Sequence, residues 1–167
     1  MGDIGRAELV KGEIIYMSPT GYLHGFIEVN FSSLLRAFAD KHKLGRVLGG
    51  EVGIYIARNP DTVRGADVAF ISGKRLAQAK SKSFLDVAPE LIVEVLSPDD
   101  RWMDVNAKLT EYFTIGVQMV WIADPQQQQV HVYRSLADVK ILSGDDVLTG
   151  DSVLPGFSAP VSDFFRE

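Results

Sequence analysis

The sequence predicts a mixed α/β protein, a central mixed β-sheet with flanking helices and an N-terminal β-hairpin. Three observations carry that expectation. Apolar runs of strand length, such as Leu91-Ile92-Val93 and residues 117–123, alternate along the chain with two longer segments of helical spacing. Turn-forming clusters at Lys11-Gly12, Ser18-Pro19-Thr20-Gly21 and Asn59-Pro60-Asp61 separate them. Finally, 167 residues with 46% hydrophobic content are enough for one real core, so a single domain over 1–167 is expected.

The elements follow in order. Residues 8–17 read as two short strands turning at Lys11-Gly12. From 22 to 43, Phe26, Val29, Leu34, Leu35 and Phe38 approximate a helical apolar stripe, and Leu44-Gly45 supplies a stop. Residues 46–56 and 65–71 read as strands, and the Lys-rich stretch 74–82 as a helix-compatible excursion. The segment 89–98 is the clearest strand, apolar on both faces apart from Glu90 and Glu94, as a central strand would be. Asp99 or Asp100 is placed to cap a helix that runs to Ile115 and ends at Gly116, with Val105, Leu109, Tyr112 and Phe113 as its apolar stripe. Two further strands are expected at 117–123 and 130–134, and the aromatic residues Phe157, Phe164 and Phe165 suggest a tail docked on the body.

Composition narrows the function classes. Zero cysteines exclude disulfides, thiolate metal sites and a cysteine nucleophile. No run approaches the roughly 20 apolar residues of a membrane-spanning helix, and the first residues lack a signal-peptide pattern, so a cytoplasmic protein without membrane association is expected. A net charge of -5 argues against a protein that coats nucleic acid, which calls for a basic surface. It leaves nucleic-acid chemistry open, because carboxylates that hold a divalent cation make such a site acidic without the metal.

Two carboxylates stand inside strands that otherwise read as buried, Asp67 and Glu94. Burying an ionised carboxylate is costly unless a cation or donors compensate it. The bland alternative pairs Glu94 with Arg64 or Arg101 near the surface. On the following helix Asp104, Lys108 and Tyr112 recur every four residues and share a face, so Lys108 can point back toward the strand ends or form a surface pair with Asp104. Glu51, flanked by glycines in a strand, is either an accessory contact or an exposed edge residue. His24 opens the first helix, as a group facing the site or a packing residue. His42 and His131 show no visible partners in the sequence. Phosphate-loop, dinucleotide-fold, nucleophile-elbow and zinc-protease motifs are absent, and a glycosidase pair of Asp67 and Glu94 lacks the aromatic platforms such sites need.

A resemblance extends this reading. In order, the chain carries Glu8-Leu9-Val10-Lys11-Gly12-Glu13, Met17-Ser18-Pro19, His24, Asp67-Val68-Ala69-Phe70 and Glu94-Val95-Leu96-Ser97-Pro98. Lys108 with Tyr112, Gly116-Val117 and Trp121-Ile122-Ala123-Asp124-Pro125 follow. Over nearly its whole length the chain resembles the prokaryotic family of putative restriction endonuclease domains, a branch of the PD-(D/E)XK nuclease superfamily. The resemblance implies a restriction-endonuclease-like core in which Asp67 and Glu94, with the main-chain carbonyl of Val95, bind Mg²⁺ or Mn²⁺, and Lys108 joins Asp67 and Glu94 as a catalytic residue. It also implies that His24 faces the site. Two positions depart from the pattern. Ala66 replaces the proline before Asp67, which contributes no ligand, and Leu96 occupies the position of the usual catalytic lysine, so Lys108 would supply that charge from the helix. The expected function is a metal-dependent endonuclease acting on DNA, with a homodimer as the natural form for cutting both strands. The alternative is a catalytically inactive protein of the same fold, serving as a nucleic-acid-binding or assembly module.

Overall fold

The computed structural model describes residues 6–166. The elements run β1 (Ala7–Val10), β2 (Glu13–Tyr16), α1 (Tyr22–His42), β3 (Gly45–Ala57), β4 (Thr62–Ser72), α2 (Gly73–Leu76), β5 (Leu91–Val95), α3 (Trp102–Ile115), β6 (Met119–Asp124), β7 (Gln129–Ser135), β8 (Asp138–Ser143), β9 (Val147–Thr149), β10 (Ser158–Pro160) and α4 (Ser162–Phe165). Eight strands form one mixed sheet in the order β2-β1-β4-β5-β6-β7-β8, with β3 also paired to β4. Of its strand pairs, β5 and β6 alone run parallel, joined by the α3 crossover; all others are antiparallel. The expected mixed α/β architecture is the observed one.

Alternation along β5 explains the two-layered core. Leu91, Val93 and Val95 face the cluster built on α1, with Ile27, Phe31, Leu35 and Ala39. Ile92 faces the α3 side, where it joins Val105, Leu109 and Tyr112. Because β5 is covered on both faces, a charged residue within it meets packed side chains in either direction. Each large side chain buried in these layers contributes about 1.5–3 kcal/mol. The tail docks as expected: Phe164 is fully buried and stacks on Phe31 at 4.3 Å between centroids.

Local readings fail where tertiary contacts override periodicity. The buried stripe of α1 is His24, Ile27, Phe31, Leu35 and Ala39, whereas Val29 and Phe26, counted as core in the sequence, are exposed. The excursion after β4 is a single helical turn, Gly73–Leu76. Neither Asp99 nor Asp100 caps α3. Its N-cap is Arg101, which makes no side-chain bond, and Asp100 instead accepts the Ser97 N–H at 2.7 Å in the preceding turn.

The strand pairing creates one gap. All along its length β4 pairs with β3 on one edge, from Ala57↔Thr62 to Gly45↔Ser72. On the other edge β1 meets it at Val63 and β5 meets it only from Val68 to Phe70. Between those contacts, Gly65 to Asp67 have no strand partner on that side among the described residues. Opposite them β3 carries a bulge, so that Gly50 and Glu51 together face the single residue Asp67. Both bulge residues have positive φ, 75° and 58°; the glycine adopts it without steric cost.

Candidate active site

Carboxylates fill the gap in the sheet. The Val95 N–H, at the point where β5 leaves β4, donates to Asp67 Oδ2 at 2.7 Å. The Gly65 N–H donates to Glu8 Oε1 at 3.0 Å. Two backbone donors that would otherwise be buried without partners therefore require acceptors here, and the sequence supplies acids. In an extended strand the N–H and C=O of one residue point the same way, so the Val95 carbonyl also faces the gap.

All six residues singled out from the sequence, His24, Glu51, Asp67, Glu94, Val95 and Lys108, line a single cavity of about 340 Å³. They fall into two groups within it. Asp67 Oδ2 lies 3.3 Å from His24 Nε2, and Glu28 Oε2 lies 4.0 Å from His24 Nδ1. Glu94 turns toward α3: Tyr112 donates to its Oε1 at 2.5 Å and Lys108 Nζ stands 3.7 Å from its Oε2. Lys108 Nζ is closer still to Glu8 Oε1, at 3.1 Å. Arg64 completes this side, donating to Glu8 at 2.9 Å and to both oxygens of Glu111 at 2.6 and 3.1 Å.

The bland pairings suggested by the sequence do not form. Arg64 binds Glu8 and Glu111 rather than Glu94, and Lys108 binds Glu8 and Glu94 rather than Asp104. Glu51, lifted by the bulge, pairs with Arg6 at the cavity rim. His131, without a visible partner in the sequence, stacks on Trp102.

The electrostatics follow the geometry. Burial, reinforced by Asp67 and Glu8, pushes the Glu94 carboxyl up to about 7 against the pull of Lys108 and the Tyr112 hydrogen bond. Burial works against the charge of Lys108, yet Glu94 and Glu8 hold it above the ordinary lysine value. The same burial opposes the ionised form of Glu8, which Lys108 and Arg64 more than offset, leaving its carboxyl below the usual range. For His24, burial favours the neutral ring but the Asp67 hydrogen bond and charge raise its proton affinity.

The donor set beside Asp67 fits a divalent cation. One ligand atom each from His24, Glu28 and Asp67 lie within 4.8 Å of one another. His24 is 8% exposed, and among the described residues its buried Nδ1 has no hydrogen-bond partner, so they leave its lone pair or proton unsatisfied. Oxygen donors suit Mg²⁺ or Mn²⁺, and the imidazole shifts the set toward the transition metal. Glu28 and Glu8 join the site without a mark in the sequence reading. Glu28 was findable as the i+4 neighbour of His24 on one helix face, whereas nothing local in Ala7–Val10 marks Glu8 as the partner of a lysine a hundred residues away.

Comparison with known proteins agrees with this architecture. A crystal structure of a putative nuclease belonging to DUF820 from Anabaena variabilis superposes with a TM-score of 0.81 at 21% identity, covering 95% of this chain and 89% of that one. At that identity the likeness speaks to the fold. No curated protein matches the sequence significantly. The Uma2 family model, described as putative restriction endonuclease, matches residues 1–162, and the chain belongs to that family.

Proposed function

We propose that this chain is a metal-dependent endonuclease that hydrolyses phosphodiester bonds in DNA through Asp67, Glu94 and Lys108. The observation that carries the reading is the convergence of two buried carboxylates, a buried histidine and a lysine on one cavity at a gap in the sheet. Membership of a family described as putative restriction endonuclease and likeness in fold to a putative nuclease support it.

Asp67, with His24 and the Val95 carbonyl, would hold Mg²⁺ or Mn²⁺, and Glu94 would complete the set once deprotonated. A cation bound there supplies charge neutralisation at the phosphate and acidifies a water. Lys108, fixed between Glu94 and Glu8, presents a permanent positive charge where a phosphorane gains negative charge. Glu94, with its proton affinity raised toward neutrality, can exchange a proton under working conditions. Gly21, the N-cap of α1, lines the cavity, and among the described residues no side chain caps the helix, so its first N–H groups can receive phosphate oxygens.

The test is cleavage of single- and double-stranded DNA with Mg²⁺, Mn²⁺ or EDTA. The expected result is hydrolysis only with metal. Leu96, at the position of the superfamily lysine, favours a second reading, a non-catalytic nucleic-acid-binding protein. Metal and DNA binding without turnover under all of these conditions would establish that reading instead.

A further inference from the structure

We propose that a second pocket, beside the catalytic cavity, is a nucleobase subsite that receives an unpaired base by stacking on Trp102. The proposal rests on the nuclease reading and narrows its substrate to DNA with unpaired or extrudable nucleotides.

The pocket measures about 270 Å³ and its walls include Tyr22, Leu96, Pro98, Trp102 and Pro125. It adjoins the catalytic cavity, sharing Gly21, His24, Ser97, Pro98 and Asp100 as walls. A nucleotide whose phosphate lies in one compartment can therefore place its base in the other. Tyr22 and Trp102 open α1 and α3, and they remain 87% and 46% exposed. The Trp102 indole is held by stacking on His131, with centroids 5.4 Å apart and planes 20° from parallel. A supported, half-exposed indole offers a preformed face for another flat ring.

Charge selects the ring over the phosphate. Among the described residues, no lysine or arginine lines this pocket, while Asp100 and Asp124 do. A phosphate there would meet the two carboxylates, and the one imidazole on the wall, His24, is turned to Asp67. A base is uncharged, and the exocyclic amino groups of adenine, cytosine and guanine are donors that such oxygens and the Gln126 amide can accept. One Asp124 oxygen is engaged by the Gln126 and Gln127 N–H groups, which leaves the other for a ligand. In a duplex both faces of a base are covered by its stacked neighbours, so a duplex must unstack a base to offer a ring face to Trp102.

The chain has two tryptophans, and Trp121 is fully buried, so quenching of the exposed indole reports on this site. The experiment titrates the protein in EDTA with a short single-stranded oligonucleotide, an abasic oligonucleotide of equal length, a blunt duplex and inorganic phosphate. The expected result is quenching by the base-bearing strand alone. Trp102→Ala should weaken its binding, read by anisotropy of the labelled strand, by roughly 5- to 150-fold, the worth of one base–aromatic stack. Trp102→Phe should retain part of that loss, Tyr22→Ala should weaken the same ligand, and abasic binding should be unchanged in all three. Equal binding of the base-bearing and abasic strands, or wild-type affinity in folded Trp102→Ala, overturns the subsite. Metal-dependent cleavage is measured separately: a protein that stacks bases but never cleaves loses the nuclease reading and keeps the subsite, and one that cleaves without any dependence on Trp102 loses the subsite and keeps the nuclease.

Discussion

The two halves of the candidate active site are built from similar residue types but balanced differently. Around Lys108, every charge has a partner: Glu8 meets Lys108 and Arg64, Arg64 also meets Glu111, and Glu94 meets Lys108 and Tyr112. Around His24 the set is incomplete. Asp67 holds the Val95 N–H and faces His24 Nε2, but the buried His24 Nδ1 has no hydrogen-bond partner among the described residues and Glu28 stands 4.0 Å away. A balanced half positions a charge, and an unbalanced half has capacity left for an added one. The cation is therefore expected beside Asp67 and His24, with Lys108 as a fixed companion charge rather than a ligand.

The largest effect should come from the unbalanced half. Asn at position 67 can still accept the Val95 N–H, so Asp67→Asn keeps the local fold and removes the charge. Calorimetric titration with Mn²⁺ should show binding lost, and cleavage should fall by about 10³-fold or more. Retained Mn²⁺ binding would move the cation to the Glu94 half and erase the division drawn above. The balanced half predicts a different signature. Lys108→Ala should lower cleavage by about 10²–10³-fold, the usual consequence of removing a group that stabilises transition-state charge, while Mn²⁺ affinity stays near wild type.

How far the sequence reaches differs between the same two halves. Asp67 and Glu94 were legible because an acid inside an apolar strand contradicts its surroundings, and the strand assignments that exposed this contradiction match β4 and β5. The mixed sheet was legible from runs and turns, although β8, β9 and β10 were not, being short or exposed segments with weak patterns. Glu28 is legible only once His24 is taken as inward-facing, and the expected apolar stripe obscures this, because it shares Leu35 with the buried face but includes Phe26 and Val29, which are 36% and 60% exposed. Glu8 and the gap along β4 depend on strand order, which pairs residues far apart in the chain, and no local pattern encodes that.

A smaller effect should separate positioning from ligation. Glu8→Gln keeps an acceptor for the Gly65 N–H but deprives Lys108 of its nearest carboxylate and Arg64 of one partner. Denaturant unfolding should show a loss of roughly 3 kcal/mol, as expected when one member of a buried ionic network is removed. Cleavage should fall about 10-fold or less, because Glu94 still holds the ammonium, and Mn²⁺ affinity should not change. A loss of metal binding would mean that Glu8 belongs to the ligand set.

The most delicate test uses the proton on Glu94. Its carboxyl titrates near 7 in the folded chain against an ordinary value of 4.5, so between those values the native state holds a proton that the unfolded chain has released. Stability contributed by this group must then fall as pH rises from about 4.5 to about 7, and the deficit persists above that range. Gln at position 94 mimics the protonated carboxyl and cannot ionise. In EDTA, Glu94→Gln and wild type should unfold alike below the lower value, and the variant should become more stable through the interval, by about 1–3 kcal/mol at its upper end. Thermal unfolding across the interval measures the difference, and a variant less stable than wild type at neutral pH would make Glu94 a structural counter-ion of Lys108. Saturating Mn²⁺ should reverse the order, because a ligand that binds the folded state stabilises it in proportion to its affinity, and the wild type has the carboxylate that the variant lacks.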